Sequence, residues 1–215
     1  MISIRQALRL ALIAAAGAVY LGLGYLAAAS DHPPVIALVV GLAPLGAAAL
    51  ALAWKARARA AALTLCAVGA VAIALHVDQL LSHVAWLFFM QHAGAMALLG
   101  IMFGSTLGNG HAQALCSRIA RFLLPTPLDA AYLHYTWKVT VAWTAFFFAS
   151  AVLSVLLFFL APLAVWSAFA NLLTPVLLGV MFAGEYLIRL RALPNREHFS
   201  IAQTIQAYRA YARRR

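Results

Sequence analysis

Long apolar runs separated by short polar breaks dominate the chain. Six runs can be read, at approximately residues 8–29, 35–54, 60–77, 84–104, 139–160 and 164–188. Each is near the roughly 20 residues that a helix needs to cross about 30 Å of hydrocarbon. The breaks have physical causes. SDHPP (30–34) carries two prolines, which stop a helix and force a turn. KARAR (55–59) carries three cations that cannot stay in hydrocarbon. VDQLLSH (77–83) interrupts its run with Asp78, Gln79 and His83, and AP (161–162) forms a tight link. The pattern predicts an all-α polytopic membrane protein of about six transmembrane helices in three hairpins. The bundle is expected over residues 1–188, with a basic amphipathic tail over 189–215.

The long connection, 105–138, has a pattern of its own. In HAQALCSRIARFLL (111–124), Leu115, Ile119, Phe122 and Leu123 share one helical face, and Arg118 and Arg121 lie off it. That is the pattern of a short helix lying in the membrane interface. TPLD (126–129) reads as a fresh helix start, with Thr126 as a cap, Pro127 in the first turn and Asp129 facing free backbone N–H groups. In the tail, SIAQ (200–203) fits a capping box, and Ile201, Ile205 and Tyr208 share a face beside Arg209 and the terminal Arg213, Arg214 and Arg215. The tail is expected to lie on the anionic inner leaflet.

Composition makes the membrane reading firm. The chain is 66% hydrophobic and 9% charged, with a mean hydropathy of +0.93. A soluble domain is about half apolar and about a quarter charged. Charge adds orientation. Arg5 and Arg9 precede run 1, and Lys55, Arg57 and Arg59 separate runs 2 and 3. Arg118, Arg121 and Lys138 separate runs 4 and 5, and seven arginines from Arg189 onward complete the fifteen basic residues. In a six-span arrangement all fifteen fall on one side and Asp31 and Asp78 on the other. The positive-inside rule then puts both termini in the cytoplasm. The first run, with AAAS (27–30) after it, also resembles a secretory signal. A signal core is about 7–15 residues, shorter than this run, so a first span is the preferred reading.

The candidate functional residues are few. Glu185 lies near the end of the last run. From the 161–162 turn, Lys138 is about 24 residues back and Glu185 about 23 forward, so both sit about 35 Å from it at about 1.5 Å per residue. Glu185 is therefore expected to pair with Lys138, or with Arg189 four residues on. Gln91, His92, Asn171 and Thr174 are intramembrane polar candidates, the last two beside Pro175, which frees a carbonyl. Gly100, Gly104 and Gly108 form a stripe for close helix approach. Cys66 and Cys116 read as small apolar residues. His76, Asp78 and His83 stand near one another in sequence, but no paired-ligand motif such as HExxH appears, and no metal or other cofactor is expected. There is no rhomboid-type GxSG, no lipid-phosphatase histidine pair, no DGxxAR, no Walker A and no Rossmann glycine loop.

One hairpin carries a resemblance. YTWKVTVAWTAFFFASAVLSVLL (135–157) and WSAFANLLTPVLLGVMFAGEYLIRLR (166–191) combine Tyr135, Lys138, Val139–Thr140, Trp143, Phe146–Phe147, Trp166, Asn171, Gly184–Glu185 and Arg189. This combination resembles a family of small bacterial inner-membrane proteins, some encoded beside fatty-acid-synthase-like enzymes that make aryl polyene lipids. The resemblance implies a place in envelope lipid or polyene biosynthesis and no defined activity.

Three expectations for function follow, the last a membrane enzyme, which the missing motifs make the least favoured. The first is a non-enzymatic accessory or scaffold protein. Its cytoplasmic face would set fifteen basic residues against Asp129, Glu185 and Glu197, a net +12. Such a face attracts anionic lipid and acidic proteins, an acyl carrier protein among them. The second is a small transporter or exporter of a lipid-like product. Nucleic acid is not implied, because the positive-inside rule already accounts for the basic charge.

Overall fold

A computed structural model describes residues 4–29, 34–124 and 127–192. Among these the chain is helical, without a strand. The helices are α1 (Ile4–Ala29), α2 (Val35–Lys55), α3 (Arg59–Leu75), α4 (Val77–Ser82), α5 (Val84–Gly104), α6 (Leu115–Leu123), α7 (Ala130–Leu160), α8 (Leu163–Ala168) and α9 (Thr174–Ala192). A π-helical turn at Phe169–Leu173 joins α8 to α9, making one apolar helix of 30 residues.

Four helices are long and apolar enough to cross a membrane: Val35–Lys55, Val84–Gly104, Ala130–Leu160 and Leu163–Ala192. Two other apolar stretches, Ala15–Leu26 and Arg59–Leu75, are shorter. The 17 residues of α3 rise about 25 Å at about 1.5 Å each, less than the hydrocarbon thickness. The polar stretch after α3 is itself helical. His76 and His83, with backbone angles off the helical values, bound the six residues of α4.

The chain divides into two units, Met1–Gly94 with Val152–Val176, and Ala95–Ala151 with Leu177–Arg215. In the first, α1 packs on α2, α8 and the π turn, and α2 packs on α3 and α4. Its core includes Ala37, Leu38, Val84, Phe88, Phe89 and Trp166. Phe89 stacks on Phe158 at 4.2 Å between ring centroids. No residue of α3 is buried, and its Leu65, Val68 and Val71 are exposed, an apolar surface suited to lipid.

In the second unit the core is Met96, Trp143, Phe147 and Ala151. The glycine stripe divides. A Cβ at Gly100 would meet the Phe148 ring at 3.2 Å and one at Gly104 would meet Thr144 Cγ2 at 3.1 Å, whereas Gly108 has open space around it. The first two thus admit α7 side chains closely. The link to α6 turns at Gly110, whose φ of 81° suits glycine.

α6 buries Ser117 and exposes Ile119 and Phe122. Ser117 Oγ lies 2.6 Å from Thr136 Oγ1, so the polar side of α6 meets α7. The start of α7 differs from expectation. The helix begins at Ala130, and Asp129 Oδ1 accepts the Tyr132 N–H at 2.9 Å. Asp129 is therefore the cap and Pro127 precedes the helix; an aspartate is among the strongest N-caps. Thr126 lies outside the described residues, as do Asp31 and the whole tail reading at 193–215, including Arg209, Arg213, Arg214 and Arg215.

Candidate functional site

Each unit holds a polar constellation built around a candidate residue. In the first unit it centres on His92 of α5. His92 Nδ1 lies 2.9 Å from Ser154 Oγ in α7, and Nε2 lies 3.1 Å from Thr174 Oγ1 in α9. The Thr174 hydroxyl donates to the Phe169 carbonyl at 2.9 Å. The imidazole must then be the donor to Thr174, through Nε2–H. Ser154 Oγ accepts Trp166 Nε1–H at 3.0 Å and offers its own proton to His92 Nδ1. The donations run from Trp166 through Ser154, His92 and Thr174 to the Phe169 carbonyl. Every polar atom in the series has a protein partner.

A serine beside a histidine is also the geometry of an activated nucleophile. Here Ser154 is 0% exposed. The group at the far nitrogen is a threonine hydroxyl, and no carboxylate joins the series. The arrangement ties helices together.

Gln91 points elsewhere. Its Nε2–H donates to the Gly41 carbonyl of α2 at 2.8 Å. The neighbouring Val40 carbonyl is the one left free because Pro44 has no N–H. The Tyr20 hydroxyl donates to it at 3.2 Å. The proline site of α2 is therefore closed by side chains from α1 and α5, as burial away from water requires.

Asn171 bonds within the turn before Pro175. Its amide donates to the Ser167 carbonyl at 3.2 Å and lies 3.3 Å from Ser167 Oγ. The Ser167 hydroxyl donates to the Tyr25 carbonyl of α1 at 3.0 Å. Pro175 cannot donate and crowds the carbonyl four residues back, which accounts for the widened π turn just before it. Gly24 makes room for this contact: a Cβ there would lie 2.8 Å from Asn171 Oδ1. The four intramembrane polar candidates thus separate. His92 and Thr174 share a bond, Gln91 closes α2, and Asn171 closes α8.

The second constellation holds Glu185. Its Oε1 lies 3.7 Å from Arg189 Nε. The Tyr135 hydroxyl donates to the Glu185 carbonyl at 3.1 Å and to Oε1 at 3.2 Å. Of the two expected cations, Arg189 is the one at ion-pair distance. Lys138 is exposed and makes no ion pair among the described residues. Equal depth does not put two side chains on facing sides of their helices. Tyr135, one turn earlier on α7, occupies the facing position.

These groups border a cleft of about 230 Å³ between α6, α7 and α9. Cys116 lies on its α6 wall, and its backbone N–H donates to Thr140 Oγ1 at 3.2 Å. Burial pushes the Cys116 thiol above its ordinary value; a hydrogen bond with Thr140 opposes the rise and the Glu185 carboxylate adds to it. A protonated thiol is a poor nucleophile.

Both cysteines are free, and no group of three or more His, Cys, Asp or Glu is placed to hold a metal among the described residues. Ser154, Ser167 and Tyr20 escaped the sequence reading, because a lone hydroxyl in an apolar run carries no motif. No protein-family model, curated protein or solved structure matches the chain.

Proposed function

We propose that the chain is a non-enzymatic accessory or scaffold protein of a bacterial inner membrane, with six spans and both ends in the cytoplasm. The observation that carries this reading is that the intramembrane polar side chains are spent on holding helices together. His92, Gln91, Asn171 and Thr174 all bond to protein groups. A transport path needs polar groups left open to a passing solute, and a catalytic centre needs a reachable nucleophile. What remains for function is the basic face. The fifteen cations of the sequence fall on one side in the six-span arrangement, where they would attract anionic lipid and an acidic protein such as an acyl carrier protein. The resemblance to proteins encoded beside polyene-making enzymes supports a role in envelope lipid or polyene assembly.

Export of a lipid-like product is the competing reading. Gentle detergent extraction from the native membrane, with mass spectrometry of what co-purifies, separates the two. An acidic carrier protein or biosynthetic enzyme at near-stoichiometric yield is expected. A bound lipid-like product without any protein partner would favour export. For orientation, a reporter fused after Arg215 is expected to be active only in the cytoplasm, and external activity would refute the arrangement.

A further inference from the structure

The cleft beside Glu185 has two unlike ends. At one end Trp143 and Phe182 meet, 4.7 Å between ring centroids. Ile119, Leu123 and Val139 extend this apolar wall. At the other end stand Tyr135, Glu185 and Arg189. Eight residues of α7 separate Trp143 from Tyr135, a rise of about 12 Å. The apolar walls belong mostly to helices long enough to span a membrane, so a bilayer chain is the natural filling.

The polar end is incomplete. Arg189 Nε is buried and has no hydrogen-bond partner. Its distance of 3.7 Å from Glu185 Oε1 is ion-pair contact but too long for a hydrogen bond. A buried donor without an acceptor is costly, and the Arg189 side chain as a whole keeps 24% of its surface exposed, so the guanidinium is both under-bonded and open to an acceptor from outside the protein. The charge balance says which kind. The charged residues that line the cleft, Glu185 and Arg189, balance, and around them the described residues of this unit set Arg118, Arg121, Lys138 and Arg191 against Asp129. The excess is cationic and selects an anionic head.

We propose that this cleft is a binding site for one anionic glycerophospholipid. An acyl chain lies between α6, α7 and α9 against Trp143 and Phe182, and a phosphate oxygen accepts from Arg189. Tyr135 and Glu185 hold Arg189 and the cleft mouth in place. The site rests on the cleft's own geometry and not on the scaffold reading. A protein that co-purifies with no partner can still hold this lipid, and the two readings fail separately.

The test uses the full chain in bilayer nanodiscs. Phosphatidylglycerol or phosphatidylcholine with the same brominated acyl chains is added at equal mole fraction. The quenching of Trp143 is taken as the difference between wild type and Trp143→Phe. Brominated phosphatidylglycerol is expected to reach Trp143 with about fivefold higher apparent affinity, the effect of one cation near an anionic head. Arg189→Gln is expected to abolish that preference. Arg191→Gln, which changes an exposed cation outside the cleft, is expected to keep it. Native mass spectrometry of the wild type should show one retained anionic lipid, a readout that stands even if Arg189→Gln fails to accumulate. Equal quenching by the two lipids, no quenching by either, or equal losses in Arg189→Gln and Arg191→Gln would overturn the site.

Discussion

Removing the Ser154 hydroxyl tests the helix-tying role of the His92 series most sharply. Ser154→Ala deletes two bonds at once, the one to His92 Nδ1 at 2.9 Å and the one from Trp166 Nε1–H at 3.0 Å. Trp166 is 0% exposed, so its N–H loses its acceptor where no water is at hand. An unsatisfied buried donor costs about 1–3 kcal/mol. The lost interhelical bond to His92 adds about 0.6 kcal/mol, and about 1.7 at most, in a membrane setting. The total for Ser154→Ala is then about 2–4 kcal/mol. His92→Leu also deletes two interhelical bonds, but Thr174 still donates to the Phe169 carbonyl, Ser154 still accepts from the indole of Trp166, and a helical serine can turn its freed proton to the carbonyl four residues back. Its cost is about 1–3 kcal/mol, the bonds alone. Ser154→Ala should therefore cost more than His92→Leu, although it removes far fewer atoms. The double variant loses the shared bond only once and should fall short of the sum by about 1 kcal/mol. The assay is reversible unfolding in mixed micelles, followed by tryptophan fluorescence. A Ser154→Ala protein as stable as wild type, or strict additivity in the double variant, would refute the reasoning.

Other predictions rest on separate features. Glu185→Gln and Arg189→Gln are expected each to lower stability, and the double variant to lose less than their sum, because removing one partner strands the other charge in a part-buried site; additive losses in the same unfolding assay count against the pair. Tyr135→Phe is expected to cost about 1 kcal/mol through the hydroxyl it gives to Glu185, and an unchanged stability would show that bond to be idle. Gly24→Ala is expected to destabilise by about 1–3 kcal/mol by pressing on Asn171 Oδ1, checked by thermal denaturation in detergent; a stabilised protein would contradict the close approach. In a Cys66→Ala background, iodoacetamide labelling of Cys116 is expected to be slow at pH 7.5 and to rise only above the ordinary thiol value of about 8.5, because the raised value keeps the thiol protonated through neutral pH. Rapid labelling at pH 7.5 would place the thiol in a different environment.

Much of the fold is legible in the sequence because a bilayer imposes length. Apolar runs near 20 residues and proline or cation breaks mark α2, α5, α7 and the α8–α9 helix, with ends within about four residues except that α7 starts at Ala130, well before its run at 139–160. The connection at 105–138 also declared its short helix. What length cannot reveal is the rotation of each helix about its axis. A soluble helix shows its buried face by polar residues on the other side, but lipid leaves apolar residues all round. Lys138 and Tyr135 are both polar, near one depth, on α7, and only the structure separates the exposed lysine from the tyrosine bonded to Glu185. His92 stood out as an intramembrane histidine, but its partners Ser154 and Thr174 lie 62 and 82 residues away. The same limit hid the closure of α2. Pro44 announces a free carbonyl in the sequence, and Tyr20 as its donor comes from another run with no spacing rule to connect them.

The central claim is that function resides on the basic face and that the intramembrane polar groups are structural. Quantitative co-purification from the native membrane tests it most directly, comparing three chains. These are the wild type, a Gln91→Leu/His92→Leu variant, and one with Arg209, Arg213, Arg214 and Arg215 changed to Gln. The account predicts that the first two, at matched amounts of folded protein, retain the same acidic partner at near-stoichiometric yield and that the arginine variant loses it. Partner yield that follows Gln91 and His92 while ignoring the arginines would contradict it.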